Sequence, residues 1–276
     1  MTDMDTVEKV GDEVPAAEEP VLLRNDALGV AGLTLNRPAA YNSLSRAMLE
    51  ALERELDVIA ADPAIRVVVI AGTGRAFCAG HDLKEIRGAM TPEVMREVFT
   101  LCSRIMLKLT RLPQPVVALV DGIATAAGCQ LVAACDLALA TSNARFATSG
   151  IKYGFFCSTP MVALSRNVPR KPALEMLFTG DFIEADEAWR LGLVNRVVAP
   201  EKLEEAFDDL VGRLLDKPKD VIALGKRAYY RQIEMGIEEA YAFTTDVMVE
   251  NSTRRAFREG MDAFAEKRKP DWPDAE

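Results

Sequence analysis

Short apolar runs alternate with amphipathic stretches through the first half of the chain. Residues 67–71, 116–120 and 137–140 carry no polar side chain, the signature of strands covered on both faces. Residues 21–35 predict two more strands, broken by the polar, turn-prone residues 24–29. Ser45 is placed to cap a helix running to about Ala61. Its apolar positions Met48, Leu49, Leu52, Leu56 and Ile59 share one face. Residues 91–112 predict a second helix, stopped by Pro113 and Pro115. Residues 126–134 predict a third, shorter one.

This β–α–β alternation implies an α/β fold with parallel strands and right-handed crossovers. From about Thr159 onward nearly everything reads as helix: 172–178, 185–191, 201–215, 220–235 and 243–265. Helices without a sheet of their own pack against a neighbour. There is no internal repeat and no long linker. The expected organisation is a disordered acidic tail over 1–20, a core over 21–200 that carries the site, and a helical region over 201–276.

With 276 residues, 49% of them hydrophobic, the chain can bury a large core. No apolar run approaches the ~20 residues of a membrane span. The net charge of −9 is uneven, because residues 1–20 hold seven acids and one base. The rest is nearly balanced, so the acidity says little about ligands, and nothing points to nucleic acid. One histidine and no clustered ligands argue against a metal site. The five cysteines include no C-x-x-C pair, which suggests reduced thiols. The acidic N-terminus resembles neither a secretory nor a mitochondrial targeting segment. The expected location is therefore cytoplasmic.

Two stretches carry candidate chemistry. Phe77-Cys78-Ala79-Gly80-His81-Asp82-Leu83-Lys84-Glu85 follows one apolar run, and Asp121-Gly122-Ile123-Ala124-Thr125-Ala126-Ala127-Gly128-Cys129-Gln130 follows the next. Each puts small residues where a strand turns into a helix, so a ligand can approach the backbone closely. Helix starts leave N–H groups unpaired. Two such turns side by side can aim two N–H groups at one oxygen, as in an oxyanion hole.

These residues resemble the crotonase (enoyl-CoA hydratase/isomerase) superfamily. Further matches are Leu35-Asn36-Arg37-Pro38, Asn42-Ser43-Leu44-Ser45, Ala144-Arg145-Phe146, Ala188-Trp189-Arg190-Leu191-Gly192-Leu193-Val194 and Glu259-Gly260-Met261. The segments 124–130 and 155–160 are most similar to the enoyl-CoA hydratase domain-containing proteins. The resemblance implies stacked ββα units and a C-terminal helical region that trimerises, as a homotrimer or a dimer of trimers. It implies an acyl-CoA thioester as ligand, with no cofactor beyond the coenzyme A of the substrate.

The resemblance also assigns roles. The N–H groups of His81 and Ala127 would bind the thioester oxygen, framed by Ala79, Gly80 and Gly128. Alanine stands at 126 and 127, where the family usually has glycine. The two glutamates that hydratases use to activate water and protonate the α-carbon fall at Gln130 and Gly150. No acid lies between Asp136 and Glu175, so a shifted alignment does not restore one. Asp82 would brace its turn. Arg37, Lys84, Lys267 and Phe264 would meet coenzyme A, and Leu83, Ile86 and Met90 the acyl group, although a solvated lysine or a core apolar residue reads equally well. The His81 imidazole either shuttles a proton or packs aside. Tyr153 either meets a substrate carboxylate or is a partly buried aromatic. Cys157 reads as an apolar filler. Three expectations stay open: an atypical lyase of this family with doubtful hydratase activity, a malonyl-type acyl-CoA decarboxylase, and a non-catalytic acyl-CoA binder.

Overall fold

The computed structural model describes residues 19–88 and 90–273. The acidic tail expected over 1–20 thus lies, but for its last two residues, outside the described residues. In chain order the elements begin with strands β1 (Leu22–Ala27) and β2 (Val30–Leu35), helix α1 (Arg46–Ala61), strands β3 (Val67–Gly72) and β4 (Ala76–Cys78), and helices α2 (Leu83–Gly88) and α3 (Pro92–Arg111). Then come β5 (Val116–Val120), β6 (Ile123–Thr125), α4 (Ala127–Ala134), β7 (Leu137–Thr141), β8 (Arg145–Ala147), α5 (Ser158–Leu164) and α6 (Arg170–Thr179). The chain continues with β9 (Ile183–Glu184), α7 (Ala185–Arg190), β10 (Arg196–Val198), α8 (Leu203–Leu215), α9 (Lys219–Gln232), α10 (Ile237–Ser252) and α11 (Arg255–Glu266).

Among the described residues one sheet runs β1-β2-β3-β5-β7-β10 and a smaller one β4-β6-β8-β9. The pairs β3/β4, β5/β6 and β7/β8 each place their first strand in the large sheet and their second in the small one. Helices follow each pair. These are the expected stacked ββα units of an α/β fold. Parallel pairing of β3 with β2 and β5, and of β5 with β7, explains the unbroken apolar runs of β3, β5 and β7, since helices cover both faces. On one face Leu33, Ile70 and Ala118 pack with Met48, Leu52 and Ile105. On the other, Val67, Val69 and Val117 meet Val211 of α8.

The helix signals work as read. Ser45 caps α1 by accepting from Met48 N–H (3.2 Å), and Thr91 caps α3 by accepting from Val94 N–H (3.4 Å). Three expectations change. The break predicted over 24–29 shrinks to Leu28-Gly29, because β1 is an edge strand and tolerates polar residues. Arg24 there pairs with Asp26 and reaches Glu55 of α1 at 3.0 Å. The region after Thr159 is not wholly helical, since β9 pairs with β8 and β10 extends the large sheet beside β7. Both strands are too short for periodicity to register. The helix predicted over 243–265 is two helices, α10 and α11. They break at Arg254, whose side chain binds Asp220 (3.1 Å) and Glu250 (2.7 Å).

A buried ion pair ties α9 to the core. Lys226 Nζ donates to Asp136 Oδ2 (2.6 Å) and to the carbonyls of Leu109 (2.7 Å) and Gln114 (2.8 Å). Asp136 also accepts from Val116 N–H (2.7 Å) and Tyr230 OH (2.8 Å). Burial lowers the Lys226 pKa and the Asp136 carboxylate opposes that shift. Every polar atom of the pair is used, so removing one partner strands the other. Lys226→Met is expected to cost about 3–5 kcal/mol, read as a lower urea midpoint with unchanged slope. An unchanged midpoint would show that the pair anchors nothing.

Candidate active site

The loop between β2 and α1 holds the first turn in place. Asn42 is fully buried. Its Nδ2 donates to the carbonyls of Thr73 (2.8 Å) and Ala76 (2.7 Å), and its Oδ1 accepts from Arg37 N–H (2.8 Å). Asn tolerates the left-handed backbone it adopts there (φ 53°). The loop then pairs with the segment after β4. Ala79 N–H donates to Tyr41 O (3.0 Å), Leu44 N–H to Gly80 O (2.8 Å) and Asp82 N–H to Leu44 O (3.3 Å).

The second turn lies directly against the first, because β4 and β6 are parallel neighbours. Gly80 has φ +88°, and a methyl on it would come 2.9 Å from Ala126 Cβ and 3.1 Å from Ala127 N. A methyl on Gly128 would overlap the Cys78 carbonyl. The N–H groups of His81 and Ala127 therefore leave adjacent turns. Neither donates to an acceptor among the described residues, as a ligand-binding pair requires. Ala127 opens α4, whose dipole favours negative charge at that end. Ala126 pays for this geometry with φ 51° and ψ −119°, a strained conformation for a residue with a Cβ.

Around these turns the other candidates separate. Gln130 is 4% exposed, and its Oε1 is buried with no hydrogen-bond partner. Gly150 is closed in: a Cβ there would overlap the Phe155 carbonyl and lie 2.8 Å from Cys157 Sγ. The neighbouring hydroxyls are engaged, Thr148 to the Met176 carbonyl and Thr125 to Ser149, both at 2.8 Å. Cys157 is buried, and burial raises its thiol pKa, consistent with a filler. Tyr153, expected to be partly buried if not a ligand contact, is 73% exposed. The short 3-10 turn that carries it ends at Gly154 and turns its ring to solvent.

Asp82 braces the first turn. Its Oδ1 accepts from the N–H groups of Lys84 (3.0 Å) and Glu85 (3.4 Å), its Oδ2 from Arg37 (3.0 Å) and Ser43 Oγ (3.2 Å). Burial pushes its pKa up, but Arg37 and the two N–H groups outweigh this and hold it below the ordinary value. Arg37, expected at a coenzyme A phosphate, joins this brace through Nη1, which donates to Asp82, to the Ser43 carbonyl (3.0 Å) and to Ser43 Oγ (3.1 Å). Leu83 and Met90 are exposed, whereas Ile86 lines a cavity of about 320 Å³ beside His81. Lys84 is exposed on α2. Phe264 (82% exposed) and Lys267 sit at the end of α11, without a hydrogen bond or ring contact to the turns.

The His81 ring packs edge-on against Phe99 (5.3 Å), which stacks on Phe155 (5.7 Å). Burial lowers the imidazole pKa from 6.5 to about 4, and the Leu44 carbonyl pulls weakly the other way. The ring is thus neutral at neutral pH. The aromatic pair was not legible beforehand, since Phe99 lies on α3, well beyond His81 in the chain, and only the helix's course brings it here.

The stacked ββα fold is that of a crotonase-type protein. The enoyl-CoA hydratase/isomerase family profile matches residues 25–275, and the chain belongs to that family. Rat enoyl-CoA hydratase domain-containing protein 3, mitochondrial, is 43% identical over 258 residues, covering 94% of this chain and 86% of the relative. A solved structure of enoyl-CoA hydratase from Mycobacterium smegmatis is 55% identical with a TM-score of 0.91, covering 92% and 99% of the two chains. The human enoyl Coenzyme A hydratase domain-containing protein 3 structure is 42% identical with a TM-score of 0.89, covering 91% and 100%. The expectation of a cytoplasmic location is overturned by these names, because the rat, frog, mouse and human relatives are all designated mitochondrial. Reduced, buried thiols suit any reducing compartment, so cysteine usage does not single out the cytoplasm.

Two outcomes follow. Gly128→Ala drives a methyl into backbone and is expected to cost about 3 kcal/mol, measured by denaturant unfolding. Wild-type stability would show that the turns can part. In the folded chain the single histidine is expected to stay neutral down to about pH 4 by NMR titration. The unfolded chain takes up that proton near 6.5. The stability from burying a neutral ring is therefore present above pH 6.5 and lost as pH falls toward 4, by about 3 kcal/mol. A titration near 6.5 in the folded state would overturn this.

Proposed function

We propose that this chain binds an acyl-CoA thioester and stabilises negative charge on its carbonyl oxygen through the N–H groups of His81 and Ala127. Forming an enolate next to a thioester puts charge on that oxygen, and one well-aimed donor contributes about 3 kcal/mol. The observation that carries the reading is the adjacency of the two turns, with neither N–H group donating to an acceptor among the described residues.

Ordinary enoyl-CoA hydration is not the reaction we assign. It needs one group to activate water and another to protonate the α-carbon. At the positions aligned with those groups, Gln130 carries an amide that does not exchange protons in the ordinary way. Gly150 has no side chain, and the Phe155 carbonyl occupies the space a glutamate would enter. Each missing acid–base group removes about 10²–10⁴-fold in rate. Decarboxylation of a malonyl-type thioester is compatible with this arrangement. The bond between the α-carbon and the carboxylate breaks, carbon dioxide leaves, and its electron pair forms the enolate that the two N–H groups hold. Solvent then supplies the proton. The exposed Tyr153 lends that alternative no support. A binder without turnover is the remaining reading. Assembly into trimers is part of the proposal, supported by exposed Ile237, Tyr241, Met248, Phe257 and Phe264 on α10 and α11.

Pure protein incubated in D₂O with crotonyl, longer enoyl, saturated and malonyl-type thioesters, followed by mass spectrometry, separates these readings. The expected result is no fast hydration of crotonyl-CoA, with α-deuteration or loss of a carboxylate in part of the panel. Fast hydration would overturn the assignment. Binding without any mass change would reduce the function to thioester binding.

A further inference from the structure

Ala126 precedes the Ala127 donor and sits at backbone angles that favour glycine, φ 51° and ψ −119°. A residue with a Cβ persists there only where its surroundings impose the shape. Here they do. The Ala126 N–H donates to the Ala147 carbonyl (3.0 Å), and the Ala126 carbonyl accepts from the Gln130 N–H (3.1 Å). The residue is thereby fixed between β6 and the first turn of α4.

The same angles place its methyl. At this ψ the Cβ of an L-residue is eclipsed with the following nitrogen, and the trans peptide turns that N–H to the same side. The Ala126 methyl therefore lies alongside the Ala127 N–H, in the path of an oxygen that approaches on the N–H axis. The spacing across the slot agrees. A methyl on Gly80 would come 2.9 Å from Ala126 Cβ and 3.1 Å from Ala127 N, so this Cβ stands between the two turns. Ala126 is partly exposed while Thr125 and Ala127 beside it are buried, so a ligand can reach it. The other donor has no such neighbour, because the residue before His81 is Gly80.

We propose that the two donors are unequal: the His81 N–H is open, the Ala126 methyl gates the Ala127 N–H, and Ala126 thereby sets how firmly the thioester oxygen is held. The inference rests on the acyl-CoA reading above. An oxygen shared by both donors must press on the methyl or bend its bond to Ala127 off the N–H axis, and a bent hydrogen bond is weak. Ala126→Gly removes the obstruction and keeps both N–H groups. Glycine also adopts these angles without a steric penalty.

The test is NMR of the intact protein, labelled with ¹⁵N at alanine and histidine and titrated with butyryl-CoA. Infrared spectra of the bound thioester, labelled with ¹³C at its carbonyl, accompany it. In the wild type the His81 backbone amide proton is expected to move downfield by far more than that of Ala127. In Ala126→Gly both amides are expected to move and the carbonyl stretch to fall to lower frequency. Butyryl-CoA is expected to bind that variant about tenfold more tightly, the gain from one net hydrogen bond. Equal downfield shifts of the two amides in the wild type overturn the inference without any variant. So does a carbonyl stretch that Ala126→Gly leaves unchanged; if the His81 amide still responds, only this inference falls. If butyryl-CoA moves neither amide, or does not bind, the acyl-CoA reading falls with it.

Discussion

The contact on which the site depends is backbone against backbone. Gly128 rests on the carbonyl of Cys78, and Gly80 rests against Ala126 and Ala127. No side chain can come between the two turns, so the first turn of α4 is pressed onto the end of β4. The N–H groups of His81 and Ala127 leave neighbouring turns for that reason, and the proposed thioester contact rests on this closeness, since two fixed donors acting on one charge need little reorganisation.

Support for that contact comes from well-satisfied polar groups. Asn42 spans the β3–β4 connection, and Asp82 gathers Arg37, Ser43 and two backbone N–H groups. Against this background the unsatisfied groups stand out. Near the two turns the Gln130 oxygen is buried and unpartnered, as are single atoms of Arg66, Gln114, Asn251 and Arg254 elsewhere, and the buried His81 nitrogens have only the Leu44 carbonyl close by. The protein thus leaves polar capacity unused beside its paired donors, having used it fully in the brace around them. Folding stability explains the brace.

Position 150 is packed around glycine. The Phe155 carbonyl and the Cys157 sulfur occupy the space that a side chain there would enter.

Much of this was legible in the chain. Three fully apolar runs marked the parallel strands, Ser45 and Thr91 marked helix starts, and small residues at 79–80 and 126–128 marked the two turns, because those signals are local. Other features were not. The short strands β9 and β10 carry no periodicity, and the break at Arg254 depends on a carboxylate 34 residues away. The role of Arg37 also depended on distance, since its partner Asp82 is 45 residues on. The His81 surroundings are the clearest case. Sequence determined that one histidine follows a glycine turn. Only the tertiary packing of α3 decided that its ring is buried against Phe99 and neutral. Burial and proximity are sums over residues distant in the chain, and no local pattern encodes them.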